Sequence, residues 1–154
     1  RQTMEIAGFL MEKGIDFPKI IDDSFFAKTY GQAKLHGRAV LDSVRILDNR
    51  CVYTVVTTDE LREYGCTVKA TDGIVDQLRI IEGIEIAFLL YQTGNPDEYK
   101  VSLRTNSAVD VSRIAQSFGG GGHVKAAGCT MTGEPQEIVE KISGKIREQW
   151  EELK

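Results

Sequence analysis

The chain has 154 residues with a formal net charge of -4, 42% hydrophobic, 27% charged and 8% aromatic, which excludes a disordered or fibrous chain and predicts a domain whose core needs no disulfide or metal staple. Its most apolar run, Ile84 to Tyr91, contains Glu85 and falls far short of the ~20 residues of a membrane span, so no membrane partner is expected and a cytoplasmic location is. The acidic balance argues against a broad footprint on long duplex nucleic acid, where affinity scales with the number of phosphates neutralised. Cys51, Cys66 and Cys129 are odd in number and form no CxxC pair, which predicts reduced thiols.

Taken in chain order, residues 3–13 place Met4, Ala7 and Met11 on one helical face, with Gly14 as the stop. Position 1 is Arg, and helical periodicity starts almost at once, as expected of a piece of a longer chain. Phe17-Pro18 is read as an interruption, and Asp22, Asp23 and Ser24 as the cap of a connecting helix that runs through Ala33, Gly37, Val40, Val44 and Leu47. His36 is expected on its surface. The boundary is placed at Asp48-Asn49, giving a helical segment over residues 1–48 and a second domain over residues 49–154.

Beyond it, Val52 to Thr57 reads as a strand, and Thr58 or Asp59 as the cap of a short helix. Ile74, Leu78 and Ile81 share a helical face closed by Gly83. Ile84 to Gln92 is apolar on both faces, hence an interior strand. Tyr99, Val101 and Leu103 alternate with Lys100, Ser102 and Arg104 in a half-exposed one. Asp110 caps a helix with a Val111, Ile114, Ala115, Phe118 stripe; Ala126 to Met131 is a strand, and Pro135 opens the last helix. Intermixed strands and helices predict an α/β fold, a mixed β-sheet flanked by helices and preceded by an N-terminal helical connector.

The unusual feature is Gly119-Gly120-Gly121-Gly122-His123. A run without Cβ atoms can turn successive N–H groups inward as an anion nest, or serve as a flexible linker; its position between a helix and a strand of one domain favours the nest. It is neither a dinucleotide fingerprint nor a P-loop, because Val124 and Lys125 occupy the third-glycine positions and no Gly-Lys-Ser/Thr occurs. His123 is a candidate phosphate donor and Arg104 a candidate bidentate grip, while Lys125 is read as surface. Asp22-Asp23 is read as capping, and no grouped acids, Ser/His/Asp or Cys/His set supports two-metal or nucleophilic chemistry.

Phe118-Gly119-Gly120-Gly121-Gly122-His123 followed by Ala126-Ala127-Gly128-Cys129 resembles the signature of the DHH-associated domain of DHH phosphoesterases. In the same order come Asp72-Gly73-Ile74-Val75-Asp76, Val101-Ser102-Leu103-Arg104-Thr105 and Val109-Asp110-Val111. The arrangement is most similar to the nanoRNase and 3'-phosphoadenosine-5'-phosphate phosphatase branch, also called exopolyphosphatase-related. The resemblance implies a manganese-dependent phosphoesterase whose metal sits in a preceding Asp-His-His domain. This segment would bind substrate in the cleft between the domains, through Gly119, Gly120, Gly121, Gly122, His123 and Arg104, with Ser102 and Asp76 as further contacts. Residues 1–13 would then be the last helix of the preceding domain.

The implied partners are short RNA or a nucleotide phosphate and the Asp-His-His domain, with a homodimer left open. This segment holds no Asp-His-His motif, so no cofactor and no catalysis by the segment alone are expected. Asp76 stands where Asn is common in the family, and Thr105 where Ser is. The alternative is a non-catalytic nucleic-acid-binding module of the kind at the C-terminus of alanyl-tRNA synthetases.

Overall fold

A computed structural model describes residues 1–153. Their packing separates two units, Arg1–Tyr30 and the residues from Gly31 onward. In the first, α1 (Gln2–Glu12) buries none of its side chains, and Gly14 follows it at φ 81°. Phe17-Pro18 does not interrupt a helix but starts one, α2 (Phe17–Ile21), because proline is tolerated in the first helical turn. Its cap is Asp16, whose carboxylate accepts from the Lys19 N–H at 3.0 Å. Asp22 and Asp23 instead lie in a π-helical turn, Asp22–Phe26.

The second unit begins within α3 (Tyr30–Leu41), which ends six residues before the expected Leu47. Ser43 Oγ donates to the Val40 carbonyl at the helix end, and Val44–Ile46 form a strand, β1. Val44 fits a helical and an extended period equally, and β-branched Val44 and Ile46 settle for the sheet. Leu47, Asp48 and Asn49 all adopt left-handed φ angles of 53°, 57° and 61°, which aspartate and asparagine tolerate well. They turn β1 back onto β2 (Cys51–Val56), so Asp48-Asn49 lies inside a hairpin.

The remaining elements are α4 (Thr58–Glu63), a 3-10 turn at Val68–Thr71, α5 (Ile74–Arg79), β3 (Ile86–Gln92), β4 (Glu98–Thr105), α6 (Val111–Gln116), β5 (Gly121–His123), β6 (Ala126–Thr132) and α7 (Pro135–Glu152). The cap of α4 is Thr57, one residue before the expected pair, in a reciprocal capping box with Glu60. The strands form one six-stranded mixed sheet in the order β1-β2-β3-β4-β6-β5, parallel only between β2 and β3. The expected α/β fold with a mixed sheet is the one observed.

One sheet face is buried along its length. Phe88, Val101, Leu103 and Ala127 pack there against Ile114 of α6 and Ile138, Ile142 and Ile146 of α7. On the opposite face Leu35, Leu61, Ile74 and Leu78 cover Val52, Ala87 and Leu89 of β2 and β3 only. Lys100, Ser102 and Arg104 of β4 and Ala126, Gly128 and Thr130 of β6 are therefore exposed or half-buried. His36 is a correction: it is buried at 3% exposure, with Nε2 2.9 Å from the Ala70 carbonyl oxygen, because α3 lies over the sheet instead of standing out from it.

Asp110 fixes α6 by accepting from the Ser112 and Arg113 backbone N–H groups. Its own backbone is clamped from α7, where Gln149 Oε1 accepts from the Asp110 N–H and Gln149 Nε2 donates to the Asp110 carbonyl, both at 2.9 Å. The Ser112 hydroxyl, followed by those two N–H groups and the Arg113 charge, holds the Asp110 carboxyl below its ordinary pKa. Asp110→Ala is expected to cost about 1 kcal/mol, as for a typical N-cap. A depressed folded-state pKa means this contribution is complete above the ordinary carboxylate value and is lost as pH falls through the lowered one. Urea unfolding of both proteins at neutral and acid pH checks it; a gap that ignores pH refutes the ionised cap.

Candidate functional site

The order β4-β6-β5 sets three strands side by side on the uncovered face. Antiparallel partners project to the same side, so the pairing defines rows. Arg104 stands opposite Ala126 and Ala126 opposite His123; Ser102 stands opposite Gly128 and Gly128 opposite Gly121. In a third row Lys100 faces Thr130 on one side and Tyr91 of β3 on the other. With neighbouring strands ~4.8 Å apart, the Arg104 and His123 α-carbons lie about 10 Å apart across Ala126. The face is thus a shallow trough, floored by Ala126 and Gly128 and flanked by the β4 polar column and His123.

Arg104 is positioned, not loose. Its side chain is 29% exposed and its Nε lies 3.3 Å from Asp76 Oδ1 on α5, while Nη1 donates to the Leu103 carbonyl at 3.0 Å. Arg79 Nε approaches the same Asp76 oxygen at 3.5 Å, and Arg79 Nη1 donates to Asn106 Oδ1 at 2.9 Å. Two guanidinium groups sharing one carboxylate leave a net positive charge, so Asp76 acts here as a counter-charge to Arg104. His123 is exposed at the sheet edge. Lys125 is turned away, its ammonium donating to the Ser107 carbonyl.

The four glycines do different work. Gly119, at φ 74°, gives its N–H to the Gln116 carbonyl, and Gly120 gives its own to Ala115. Together they form a Schellman C-cap for α6. Two of the four amides expected to face an anion are therefore committed to the helix end, and Gly121–His123 is an edge strand instead of an open loop. A Cβ on Gly120 would sit on the Gly128 carbonyl oxygen and 2.6 Å from Cys129 Cβ; Gly122, at φ 144°, would place one 2.6 Å from the Ala126 oxygen. A Cβ on Gly121 or on Gly119 would meet open space, and of the two only Gly121 has no positive φ to strain it.

Beside the trough opens a cleft of about 370 Å³, lined by Ser102, Gly119, Gly120 and Gly128 and by residues absent from the sequence-based set, Lys100, Tyr91 and Phe118 among them. Alternation of Lys100 with Val101 carried the signal for the lysine; nothing local marked Tyr91. Arg104, Ser102, Asp76, Gly121 and His123 are brought to one face, Gly119 and Gly120 line the adjoining cleft, and the register turns Gly122, opposite buried Ala127, toward the other side. Burial raises the Cys129 thiol to about 11 and the Cys51 thiol to about 12, so both are neutral at physiological pH. Among the described residues no three His, Cys, Asp or Glu side chains converge. Nor, among them, is any helix long and apolar enough to cross a membrane.

These features define a mixed-sheet α/β domain with one face left open between a cationic strand and a glycine-rich edge. Residues 48–151 match the DHHA1 domain family, and the chain belongs to it, as the Phe118 to Cys129 signature implied. The chain is similar to the bifunctional oligoribonuclease and PAP phosphatase NrnA of Thermus thermophilus, 31% identical over 96 residues that make up 62% of this chain and 29% of that protein. It is also similar to oligoribonuclease NrnB of Bacillus subtilis, 55% identical over 40 residues, 25% of this chain and 10% of that one. An exopolyphosphatase-related protein from Bacteroides fragilis shares the fold, with a TM-score of 0.86 and 22% identity over 96% of this chain and 43% of its own. The chain thus spans less than half the length of each of these relatives.

Proposed function

We propose that this chain is the substrate-binding C-terminal region of a manganese-dependent DHH phosphoesterase of the oligoribonuclease and pAp phosphatase type, gripping the phosphate of short RNA or of a nucleotide. In this reading residues 1–48 are the helical end of the catalytic domain and its connector, 49–154 form the binding domain, and the metal and the hydrolytic step belong to an Asp-His-His domain of the same polypeptide. One observation carries it: the row Arg104, Ala126, His123 sets a guanidinium and an imidazole on either side of a methyl group, on the part of the sheet face beside α5 that the Leu35, Leu61, Ile74 and Leu78 cluster leaves open. The family membership and the names of the relatives supply the substrate class.

Two donors on a short row grip one phosphate, not a duplex backbone. Titration of the chain with a 5'-phosphorylated dinucleotide is expected to move the amide resonances of 102–104 and 121–128, with a shallow salt dependence because few phosphates are neutralised. Shifts confined to other regions contradict the site. A steep salt slope favours the broader tRNA-binding module.

A further inference from the structure

A carboxylate 3.3 Å from Arg104 Nε offsets the charge that an incoming phosphate would meet, and Arg79 restores it. Asp76 and Arg79 lie three residues apart on α5, a spacing that sets side chains on one helical face, and Arg79 Nε stands 3.5 Å from the same Oδ1. The trio therefore keeps one net positive charge where an Asp76–Arg104 pair alone would keep none. Arg79 is also fixed from a second direction. Asn106, just past β4, accepts from Arg79 Nη1 at 2.9 Å through Oδ1 and donates from Nδ2 to the Arg79 carbonyl at 2.7 Å. The Asn106 N–H is held in turn by the Glu85 carbonyl at 2.8 Å. Exposed ion pairs rarely offset the entropy of ordering a long side chain, and here a neutral, anchored amide does part of that ordering. A cation in the last turn of a helix suits its dipole, but the printed guanidinium contacts of Arg79 run to two side chains, Asp76 and Asn106, and not to the last carbonyls of α5.

Resting on the reading of Arg104 as the phosphate grip, we propose that Arg79, locked by Asn106, is a positioning residue for that grip: it competes with Arg104 for Asp76 Oδ1, so that Arg104 is held in place yet keeps charge for a phosphate. Arg79 acts through Asp76 and does not touch the ligand. Without Arg79 the carboxylate belongs to Arg104 alone, the pair tightens and a phosphate meets a neutral couple. Without the carboxylate there is nothing to compete for, and Arg79 ceases to matter. This dependence of one residue's effect on another separates a positioning role from a direct contact.

The test titrates adenosine 3',5'-bisphosphate into the 154-residue chain and into Arg79→Gln, Arg79→Lys, Asp76→Asn, Arg104→Ala and the double variant Arg79→Gln with Asp76→Asn. Unfolding midpoints are measured alongside, and Arg79→Ala replaces the glutamine variant should that one fail to fold. Arg79→Gln is expected to weaken binding about threefold to fivefold, the scale of one exposed charge pair. Arg79→Lys, which keeps the charge beside Asp76, is expected to weaken it by less than about twofold, and so is Arg79→Gln in the Asp76→Asn background. The Arg104 Nε–H resonance gives a readout that general loosening of the fold does not: its exchange with water slows in Arg79→Gln as the Asp76 pair tightens, and does not slow in the double variant. If Arg79→Gln weakens binding equally in both backgrounds, Arg79 meets the phosphate directly; the positioning role is refuted and the grip stands. If Arg79→Gln changes nothing, or Arg79→Lys is as weak as Arg79→Gln, while Arg104→Ala still weakens binding, the positioning role is again refuted and the grip again stands. If Arg104→Ala changes nothing, or the bisphosphate does not bind, the grip fails and the positioning role with it.

Discussion

Gly120→Val is expected to unfold the domain, or to destabilise it by more than ~3 kcal/mol, at the upper end of overpacking costs, while Gly121→Ala leaves stability within ~0.5 kcal/mol, the usual range for surface changes. The contrast comes from backbone geometry. At Gly120 the first added carbon already meets the Gly128 carbonyl oxygen and both the Cα and Cβ of Cys129. These atoms belong to β6, which is hydrogen-bonded on its far side to β4, so nothing flexible can yield. The N–H of Gly120 also closes the end of α6 on the Ala115 carbonyl, and moving the backbone to relieve the clash would open that cap. Gly121 has neither constraint, since its Cβ direction leads into the trough. A bulky side chain there acts on the ligand, not on the fold: Gly121→Val should retain its unfolding midpoint and lose phosphate binding by occupation of the trough. Thermal unfolding of the three variants decides. Equal loss at Gly120 and Gly121 would mean that the run is held by general chain stiffness and that the close approach of Gly120 to β6 is not what matters.

What was legible in the sequence was whatever repeats with a period. The doubly apolar β3, the alternating β4 and the proline-led α7 each carry several turns or pleats of pattern and form where the pattern places them, and α6 starts at its Asp110 cap but ends at Gln116, two residues short of the Phe118 in its stripe. The misread segments are short or depend on distant partners. β1 and β5 have three residues each, too few to establish a period, and β5 offers only one side chain to read. His36 is buried because α3 lies on the 3-10 turn that supplies the Ala70 carbonyl, a contact no local spacing encodes. The same holds at the site. Arg104, Ser102 and His123 could be named from residue type, but that they share a face follows from the strand order β4-β6-β5. At Gly119 and Gly120 glycine permits a nest and a helix C-cap alike, and what the sequence does not carry is that the Gln116 and Ala115 carbonyls of α6 take their N–H groups.

Arg104 and Asp76 give the largest expected effects on binding, and in opposite directions. Arg104→Ala removes a charge-assisted donor and should weaken phosphate binding by ~1.5–3 kcal/mol, the range for hydrogen bonds to charged groups. It leaves Asp76 with Arg79 as its remaining cation, so folding should be little affected. Asp76→Asn acts on the competition for Arg104. With its carboxylate 3.3 Å from Arg104 Nε, Asp76 both attracts the guanidinium and repels an incoming phosphate. An amide oxygen still accepts from Nε, and the Leu103 carbonyl still holds Nη1, so Arg104 keeps its pose while the repulsion disappears. The loss of one partly screened charge is expected to tighten phosphate binding by up to ~1 kcal/mol, the scale of solvent-exposed ion pairs, and more at low salt than at high. Calorimetric titration with adenosine bisphosphate at two ionic strengths measures both variants. Should Asp76→Asn weaken binding as much as Arg104→Ala does, the carboxylate itself contacts the ligand, accepting from a base or a ribose hydroxyl, and its role as a mere counter-charge is wrong.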